Sequence, residues 1–194
     1  MNWKRIMNHA KPEKKTKKAK KVIILTGTPG TGKTSIAKEL AKILNAGLID
    51  VNKVIKKNKL DEEYDKKRKT NVVNELKLAK ILQDIAKRFK NEKELNSKRK
   101  LLIIESHMSH FLPRKYVDYC FVTKCDIKEL STRLGKKGYS KAKISENIEA
   151  EIFEVCLQEA LERKHNVIIV DTTGKSAGQS AGKISRIIAR KVRK

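Results

Sequence analysis

The chain has 194 residues, of which 39% are hydrophobic and 36% charged, which is enough for one α/β core but short for two independent cores. Its three cysteines are too few for a disulfide framework, and no apolar run reaches the roughly 20 residues of a membrane helix, so we expect neither a disulfide-rich domain nor a membrane span. The formal charge of +25 favours a polyanionic partner such as RNA, although a lysine-rich surface without any specific partner has the same composition.

The first 21 residues are strongly basic, with nine lysines and arginines against one acid, Glu13. Such a segment has few apolar side chains to bury, so residues 1–21 are predicted to be a flexible tail. From residue 22 the pattern changes to an apolar run, then glycines, then a helical pattern that continues to residue 44. We therefore predict a single ordered domain over residues 22–194.

The glycines belong to a phosphate-binding motif. Residues 27–34 read GTPGTGKT and satisfy G-x-x-x-x-G-K-[ST] between a predicted strand and a predicted helix. In this context Gly30 and Gly32 let backbone amides converge on phosphates, which the positive end of the helix also attracts. Lys33 adds a mobile positive charge, Thr34 offers a hydroxyl to Mg²⁺, and Ser35 can bond an α-phosphate oxygen. The motif predicts a site for ATP with Mg²⁺.

Further apolar runs of strand length follow the motif, at residues 101–104, 117–123 and 167–170, and residues 48–51 are a candidate for one more strand. Helical segments separate most of these runs, which predicts an α/β fold of the P-loop class, with a parallel sheet flanked by helices. Isoleucines and a valine recur at helical spacing and predict one amphipathic helix over about residues 145–163, with an apolar stripe of Ile144, Ile148, Ile152 and Val155. A final basic helix is predicted over residues 181–193.

A carboxylate is expected beside the phosphate loop to act on Mg²⁺ directly or through water. Glu105 ends the apolar run at residues 101–104, which is the right place, although Asp is more usual there. His107 follows two residues later and could position a water or a nucleophile near the γ-phosphate. His110 forms an H-x-x-H pair with His107, but no third metal ligand is visible, so a hydrogen-bonded structural histidine is favoured over a zinc site.

Two fragments resemble GTPase motifs: residues 123–126 read TKCD, like a guanine-specificity tetrad, and residues 171–174 read DTTG, like a γ-phosphate switch. In GTPases the switch precedes the tetrad, and here the order is reversed. We interpret both fragments as ordinary strand ends, with residues 171–175 as a candidate border for the base.

Several pieces together resemble one known family: residues 26–35 (TGTPGTGKTS), the triplet Glu105-Ser-His107, the pair Arg133-Leu, and residues 138–153 (GYSKAKISENIEAEIF). They are similar to adenylate kinase isoenzyme 6, the atypical archaeal and eukaryotic adenylate kinase. The likeness spans about residues 22–170. Its most distinctive part is the predicted lid, at about residues 135–147, that runs into the following helix. Residues 61–65 and 72–73 also resemble the family's insertion for a nucleoside monophosphate, expected at about residues 50–80.

The resemblance implies an ATP-dependent nucleoside monophosphate kinase with ATPase activity, active in small ribosomal subunit maturation with a small-subunit ribosomal protein. We expect a monomer or a partner-bound heterodimer. The few cysteines, with no visible signal peptide or membrane helix, favour the cytoplasm, or the nucleus as well if the source is eukaryotic. By the same resemblance Glu105 and His107 match the metal and water positions and Lys137 matches the lid's ATP-contacting residue, where the family usually has Arg. Arg133 could stack on adenine.

The acceptor is less defined by the sequence. If AMP or another nucleoside monophosphate is the acceptor, Asn52, Lys53 and Arg68 in the insertion are candidates to hold it, although solvated surface side chains explain them equally well. Two alternatives remain open. One is a ribosome-assembly ATPase that acts as an RNA-binding switch with little kinase activity, and the other is a kinase for a polynucleotide end or another small molecule.

Overall fold

The computed structural model describes residues 19–65, 70–91 and 99–192. In chain order the elements are β1 (Lys21–Thr26), α1 (Lys33–Leu44), β2 (Gly47–Asp50), α2 (Val51–Lys57), β3 (Asp61–Asp65), β4 (Thr70–Val73), α3 (Glu75–Asn91), β5 (Leu101–Glu105), β6 (Tyr119–Lys124), α4 (Ile127–Lys136), α5 (Lys141–Ile152), α6 (Val155–Glu162), β7 (Val167–Asp171) and α7 (Ala177–Val192). Short 3₁₀ helices cover Ser109–Phe111 and Arg114–Tyr116.

Five strands form a parallel sheet in the order β2-β5-β1-β6-β7, which confirms the predicted fold class. Successive residues of the central strand β1 point to opposite faces of this sheet. Ile23 and Leu25 pack with α1 and α7, whereas Val22 and Ile24 pack with α2, α3 and α6. Both faces are therefore covered, as the uninterrupted apolar runs predicted.

The region predicted as an insertion, residues 50–80, contains α2, an antiparallel β3–β4 hairpin and the start of α3. Its nucleotide-binding role stays a prediction. Of the predicted basic tail, residues 1–18 lie outside the described residues, and Lys21 already belongs to β1. No helix within the described ranges is long and apolar enough to cross a membrane. The three cysteines are free and buried.

The prediction of one helix over residues 145–163 is wrong. The structure has two helices, α5 and α6, because Glu154 adopts a left-handed conformation with φ of 53° and breaks the helical path. The predicted apolar stripe is also wrong in part, since Ile152 is 57% exposed and the buried residues of α5 are Asn147 and Glu151. The neighbours of α5 explain this: a hydroxyl and a backbone amide next to the helix require a polar partner. The last helix begins at Ala177, four residues earlier than predicted.

Candidate phosphate-binding site

The loop between β1 and α1 depends on glycine at three positions. Gly27, Gly30 and Gly32 have φ values of 135°, 96° and 93°, which other residues rarely adopt. A Cβ atom at Gly27 would lie 2.4 Å from the backbone oxygen of Thr123, and one at Gly30 would lie 2.7 Å from Leu130 Cδ1. The loop is thus pressed against the neighbouring strand and against α4, and it has no room for side chains there.

Threonine hydroxyls brace this loop from the neighbouring strands. Thr31 Oγ1 lies 2.6 Å from Thr123 Oγ1 and donates to the backbone oxygen of Thr28 at 2.8 Å. Thr172, just after β7, donates to the backbone oxygen of Thr31 at 3.0 Å. Both fragments that resembled GTPase motifs, residues 123–126 and 171–174, lie at strand ends, as we predicted, and the structure adds that their threonines contact the phosphate loop.

Lys33 is held inside the loop. Its Nζ donates to the backbone oxygen of Thr28 at 2.9 Å, and the residue is only 7% exposed. Burial lowers its pKa from 10.5 to about 8, because removal from water disfavours the charged form. An ammonium group that has lost most of its hydration and has one carbonyl partner is well placed to bind an anion.

Thr34 and Glu105 meet at the end of β5, where Thr34 Oγ1 donates to Glu105 Oε2 at 3.1 Å. Burial raises the pKa of Glu105, and the carboxylate of Asp50 raises it further. Asp50 ends β2 and is the register partner of Glu105. A hydroxyl and a carboxylate are hard oxygen donors, and Mg²⁺ in phosphate sites takes few protein ligands, so these residues fit it. Among the described residues no group of three or more His, Cys, Asp or Glu side chains could hold a metal ion.

His107 lines the same cavity as Lys33. Burial, with a smaller contribution from the charge of Lys33, lowers the pKa of His107 to about 4. The imidazole is therefore neutral at physiological pH and can accept or donate one hydrogen bond to a bound water. Its backbone oxygen accepts from Thr26 Oγ1 at 3.3 Å, which fixes the start of the loop after β5.

His110 is fully buried and hydrogen-bonded at both ring nitrogens. Nδ1 lies 2.8 Å from Thr26 Oγ1, and Nε2 lies 2.8 Å from Glu159 Oε2 on α6. Its backbone oxygen lies 2.9 Å from Nε2 of His165. The structure agrees with the interpretation of His110 as a structural histidine, which connects β1, the loop after β5 and α6.

The cavity above the loop has a volume of about 740 Å³. Its lining includes Gly30, Gly32, Lys33, Thr34, Ser35, Glu105, His107 and Lys137, so the structure brings most of the sequence-predicted residues together. Arg133 lies beside the loop, where its guanidinium donates to the backbone oxygen of Thr172 at 2.9 Å and to Glu129 at 2.5 Å. Those partners hold Arg133 at the edge of the site.

The candidate acceptor residues are placed less consistently. Asn52 lines the cavity, together with Val73 and Glu75 from the same region of the chain. Lys53 follows Asn52 on α2 and is exposed. Arg68 lies outside the described residues. The acceptor assignment thus stays a prediction.

Two important acids were not found from the sequence. Asp50 lies within the predicted strand at residues 48–51 and ends β2, as Glu105 ends β5, and an acid at that position was a usable signal. Glu151 also carried a usable signal, because it lies seven residues after Ile144 and four before Val155, on the face of the predicted apolar stripe, where an acid requires a polar partner. In the structure its carboxylate accepts from Thr28 Oγ1 and from the backbone N–H of Cys125. Lys143, Glu146 and Asn147 of the same helix line the cavity.

Comparisons with known proteins identify relatives of this chain. The AAA domain family model matches residues 23–154. A protein of Methanosarcina acetivorans named "Putative adenylate kinase" is 39% identical over 86% of this chain and 86% of its own length. The "Adenylate kinase isoenzyme 6 homolog" of Caenorhabditis elegans is 30% identical over 85% of this chain and 86% of its own length.

Among solved structures, shikimate kinase from Acinetobacter baumannii in complex with shikimate superposes with a TM-score of 0.61 and 13% sequence identity. The match covers 90% of this chain and 96% of that one. At this identity the likeness shows a shared fold and carries no information on the substrate.

Proposed function

Since the chain belongs to the family of atypical adenylate kinases that these relatives represent, and is an adenylate-kinase-like phosphotransferase, we propose that it transfers the γ-phosphoryl group of ATP to AMP and so forms two ADP. One observation carries the proposal more than any other. The buried ammonium of Lys33 and the Thr34–Glu105 pair lie around one glycine loop at the floor of one cavity.

Phosphoryl transfer needs little covalent help from a protein, so positioning and charge neutralisation supply most of the catalysis. The amides of residues 30–35 and Lys33 would hold the β- and γ-phosphates. Thr34 and Glu105 would hold Mg²⁺, which when bound neutralises charge on the phosphate oxygens. Neutral His107 would orient the attacking group through a hydrogen bond without adding charge.

The connection from α4 to α5 supports the role of a lid. Lys137 directly follows α4, Gly138 comes next with φ of 75°, and Ser140 caps α5 by accepting from the Lys143 N–H at 3.3 Å. Lys137, Tyr139 and Lys143 line the cavity, so two ammonium groups would be available to contact the phosphates of bound ATP. Closure over ATP would exclude water that competes with AMP as acceptor.

The direct test measures ADP formation from ATP with Mg²⁺, in the presence and absence of AMP. Lys33→Ala is the blank, and Lys42→Ala, an exposed lysine on the same helix paired with Glu39, is the matched control. AMP-dependent ADP formation that Lys33→Ala abolishes and Lys42→Ala retains would support the proposal. If hydrolysis proceeds at the same rate with or without AMP, the activity is that of an ATPase and the kinase assignment is wrong.

A second function is favoured by the charge. A formal charge of +25 exceeds what solubility requires and attracts polyanions over about one Debye length. We propose that the protein also contacts ribosomal RNA during small-subunit maturation, and that ATP binding and hydrolysis would regulate its affinity for the RNA. RNA binding that weakens steeply with salt, and that persists without AMP, would support this role. Absence of RNA binding at physiological ionic strength would argue against it.

A further inference from the structure

A group of cations lies at the edge of the sheet opposite the phosphate loop. In a parallel sheet the carboxyl ends of the strands meet at one edge, and here that edge carries the loop after β1 and Glu105 after β5. The strand starts and the end of the preceding helix α3 meet at the other edge. Basic residues stand there, namely Lys87, Arg88, Arg99, Lys100, Arg114 and Lys115, and we call these six the basic pole.

Backbone and side-chain contacts join the elements that carry the basic pole. The backbone N–H of Lys21, at the start of β1, donates to the backbone oxygen of Lys100 at 2.9 Å. Lys90 on α3 forms an ion pair with Asp118 at 2.9 Å, and Asp118 also accepts from the backbone N–H of Val22. The end of α3 and the starts of β1, β5 and β6 are thereby connected.

Acids do little to neutralise this surface. In the stretch 106–118 the sole acid of the sequence is Asp118, which Lys90 and the Val22 amide already occupy. The last eight residues of α3, 84–91, include one acid, Asp84, against the three cations Lys87, Arg88 and Lys90. The connecting residues 92–98 have two acids and two lysines, which cancel.

Aromatic rings position some of these cations without cancelling their charge. The ammonium groups of Lys115 and Lys87 lie 5.3 Å and 5.9 Å from the ring centre of Tyr116, which is half-buried. A ring attracts a cation through its quadrupole but has no net charge, so the positive potential remains available to a ligand. An acidic partner would have neutralised the same lysines.

We propose that the basic pole binds the phosphodiester backbone of a nucleic acid, irrespective of base sequence, while the ATP cavity at the opposite edge stays open. The inference rests on the proposed contact with RNA and assigns it to a surface. Arginine and lysine side chains spread over strand starts and a helix end match a flexible chain of phosphates. Because the two sites lie at opposite edges of the sheet, nucleotide and nucleic acid do not compete.

The test compares two triple variants with the same loss of charge. Lys87→Gln/Arg88→Gln/Lys115→Gln changes the basic pole, and Lys183→Gln/Arg186→Gln/Arg190→Gln changes exposed cations on α7. Fluorescence anisotropy measures affinity for two 20-nucleotide single-stranded RNAs of unrelated sequence, and for the matching DNA, over a range of salt concentrations. ADP formation by each variant checks that it is folded.

We expect the pole variant to bind RNA at least about tenfold more weakly, with a salt slope smaller by about 2, and the α7 variant to stay within about threefold of the wild type. The four strands should bind with affinities within about threefold of one another, and saturating RNA should leave ADP formation unchanged. Equal losses in both variants, dependence on base sequence, or RNA inhibition competitive with ATP would overturn the assignment of the surface. If the wild-type protein binds no RNA, the proposed RNA role fails together with this inference.

Discussion

Glu151 on α5 accepts a hydrogen bond from Thr28 in the phosphate loop, with 2.5 Å between Glu151 Oε2 and Thr28 Oγ1. Its other oxygen accepts from the backbone N–H of Cys125 at 2.9 Å, and both Thr28 and Glu151 are buried. The helix that places Lys143 beside the cavity is thus fastened to the loop that would hold the phosphates.

Replacement of Glu151 by alanine should reduce both stability and activity. The change leaves the Thr28 hydroxyl and the Cys125 amide buried without an acceptor, and each loss costs about 1 to 3 kcal/mol. We expect the free energy of unfolding to fall by about 2 to 4 kcal/mol and kcat/KM for ATP to fall more than about tenfold. Glu151→Gln keeps one acceptor and should lose less. Denaturant unfolding and ADP assays measure this, with exposed Glu149→Gln as the control. If Glu151→Ala and Glu149→Gln have the same stability and activity, the hydrogen bonds of Glu151 to Thr28 and Cys125 contribute little to either.

The lowered pKa of Lys33 predicts a loss of ATP binding at alkaline pH. Burial reduces this pKa to about 8, so the ammonium form predominates below pH 8 and disappears above it. We expect kcat/KM for ATP to decline as the pH rises through about 8. Lys33→Arg stays charged over this range, and although its activity should be lower, its alkaline decline should be absent. A decline of the same shape in Lys33→Arg would assign the titration to another group.

The phosphate loop was the part of the site most accessible to sequence analysis, because residues 27–35 are contiguous and their chemistry is local. The strands were also predictable, since the sheet is covered on both faces and its strands are continuous apolar runs. Contacts such as Glu151 with Thr28 or Thr172 with Thr31 join residues far apart in the chain. They depend on how helices pack, and periodicity cannot reveal them. The break at Glu154 was also missed, because the apolar residues occupy the same positions in the sequence whether the helix continues or is interrupted by one left-handed residue.

Glu105 should determine the response to Mg²⁺. Burial and the neighbouring Asp50 raise its pKa, so it is neutralised earlier on acidification than an exposed glutamate. The Mg²⁺ concentration needed for half-maximal activity should therefore increase as the pH falls. Glu105→Gln should need at least about tenfold more Mg²⁺ for half-maximal activity at every pH. In this variant the Mg²⁺ requirement should no longer increase as the pH falls. Asp50→Asn keeps the side-chain oxygen that caps α2. In this variant the increase in Mg²⁺ requirement should begin at a lower pH than in the wild type. If the Mg²⁺ requirement of Asp50→Asn depends on pH as that of the wild type does, the two carboxylates are not coupled.

His107 should act as a neutral hydrogen-bonding group. Because its pKa is about 4, it stays uncharged from pH 5.5 upward and cannot produce a pH dependence near 6.5. We expect His107→Ala to reduce kcat by about 10- to 100-fold, with KM for ATP changed less than about threefold, and His107→Gln to recover part of the loss. Steady-state assays between pH 5.5 and 7.5 test this. An acid limb near pH 6.5 that His107→Ala removes would show that the imidazole titrates in the working enzyme.

Lys164 offers a stability test that does not touch the site. This exposed residue follows α6 with φ of 59°, and its N–H donates to the backbone oxygen of Leu161 at 2.7 Å. A left-handed residue with a Cβ costs about 1 to 2 kcal/mol, and glycine removes that cost while losing about 0.5 to 1 kcal/mol of chain entropy. Lys164→Gly should therefore raise the free energy of unfolding by about 0.5 to 1 kcal/mol, whereas Lys164→Ala removes the same charge without relieving the backbone. Chemical denaturation separates the two, and an equal gain from Lys164→Ala would attribute the effect to charge repulsion among the basic residues that precede β7.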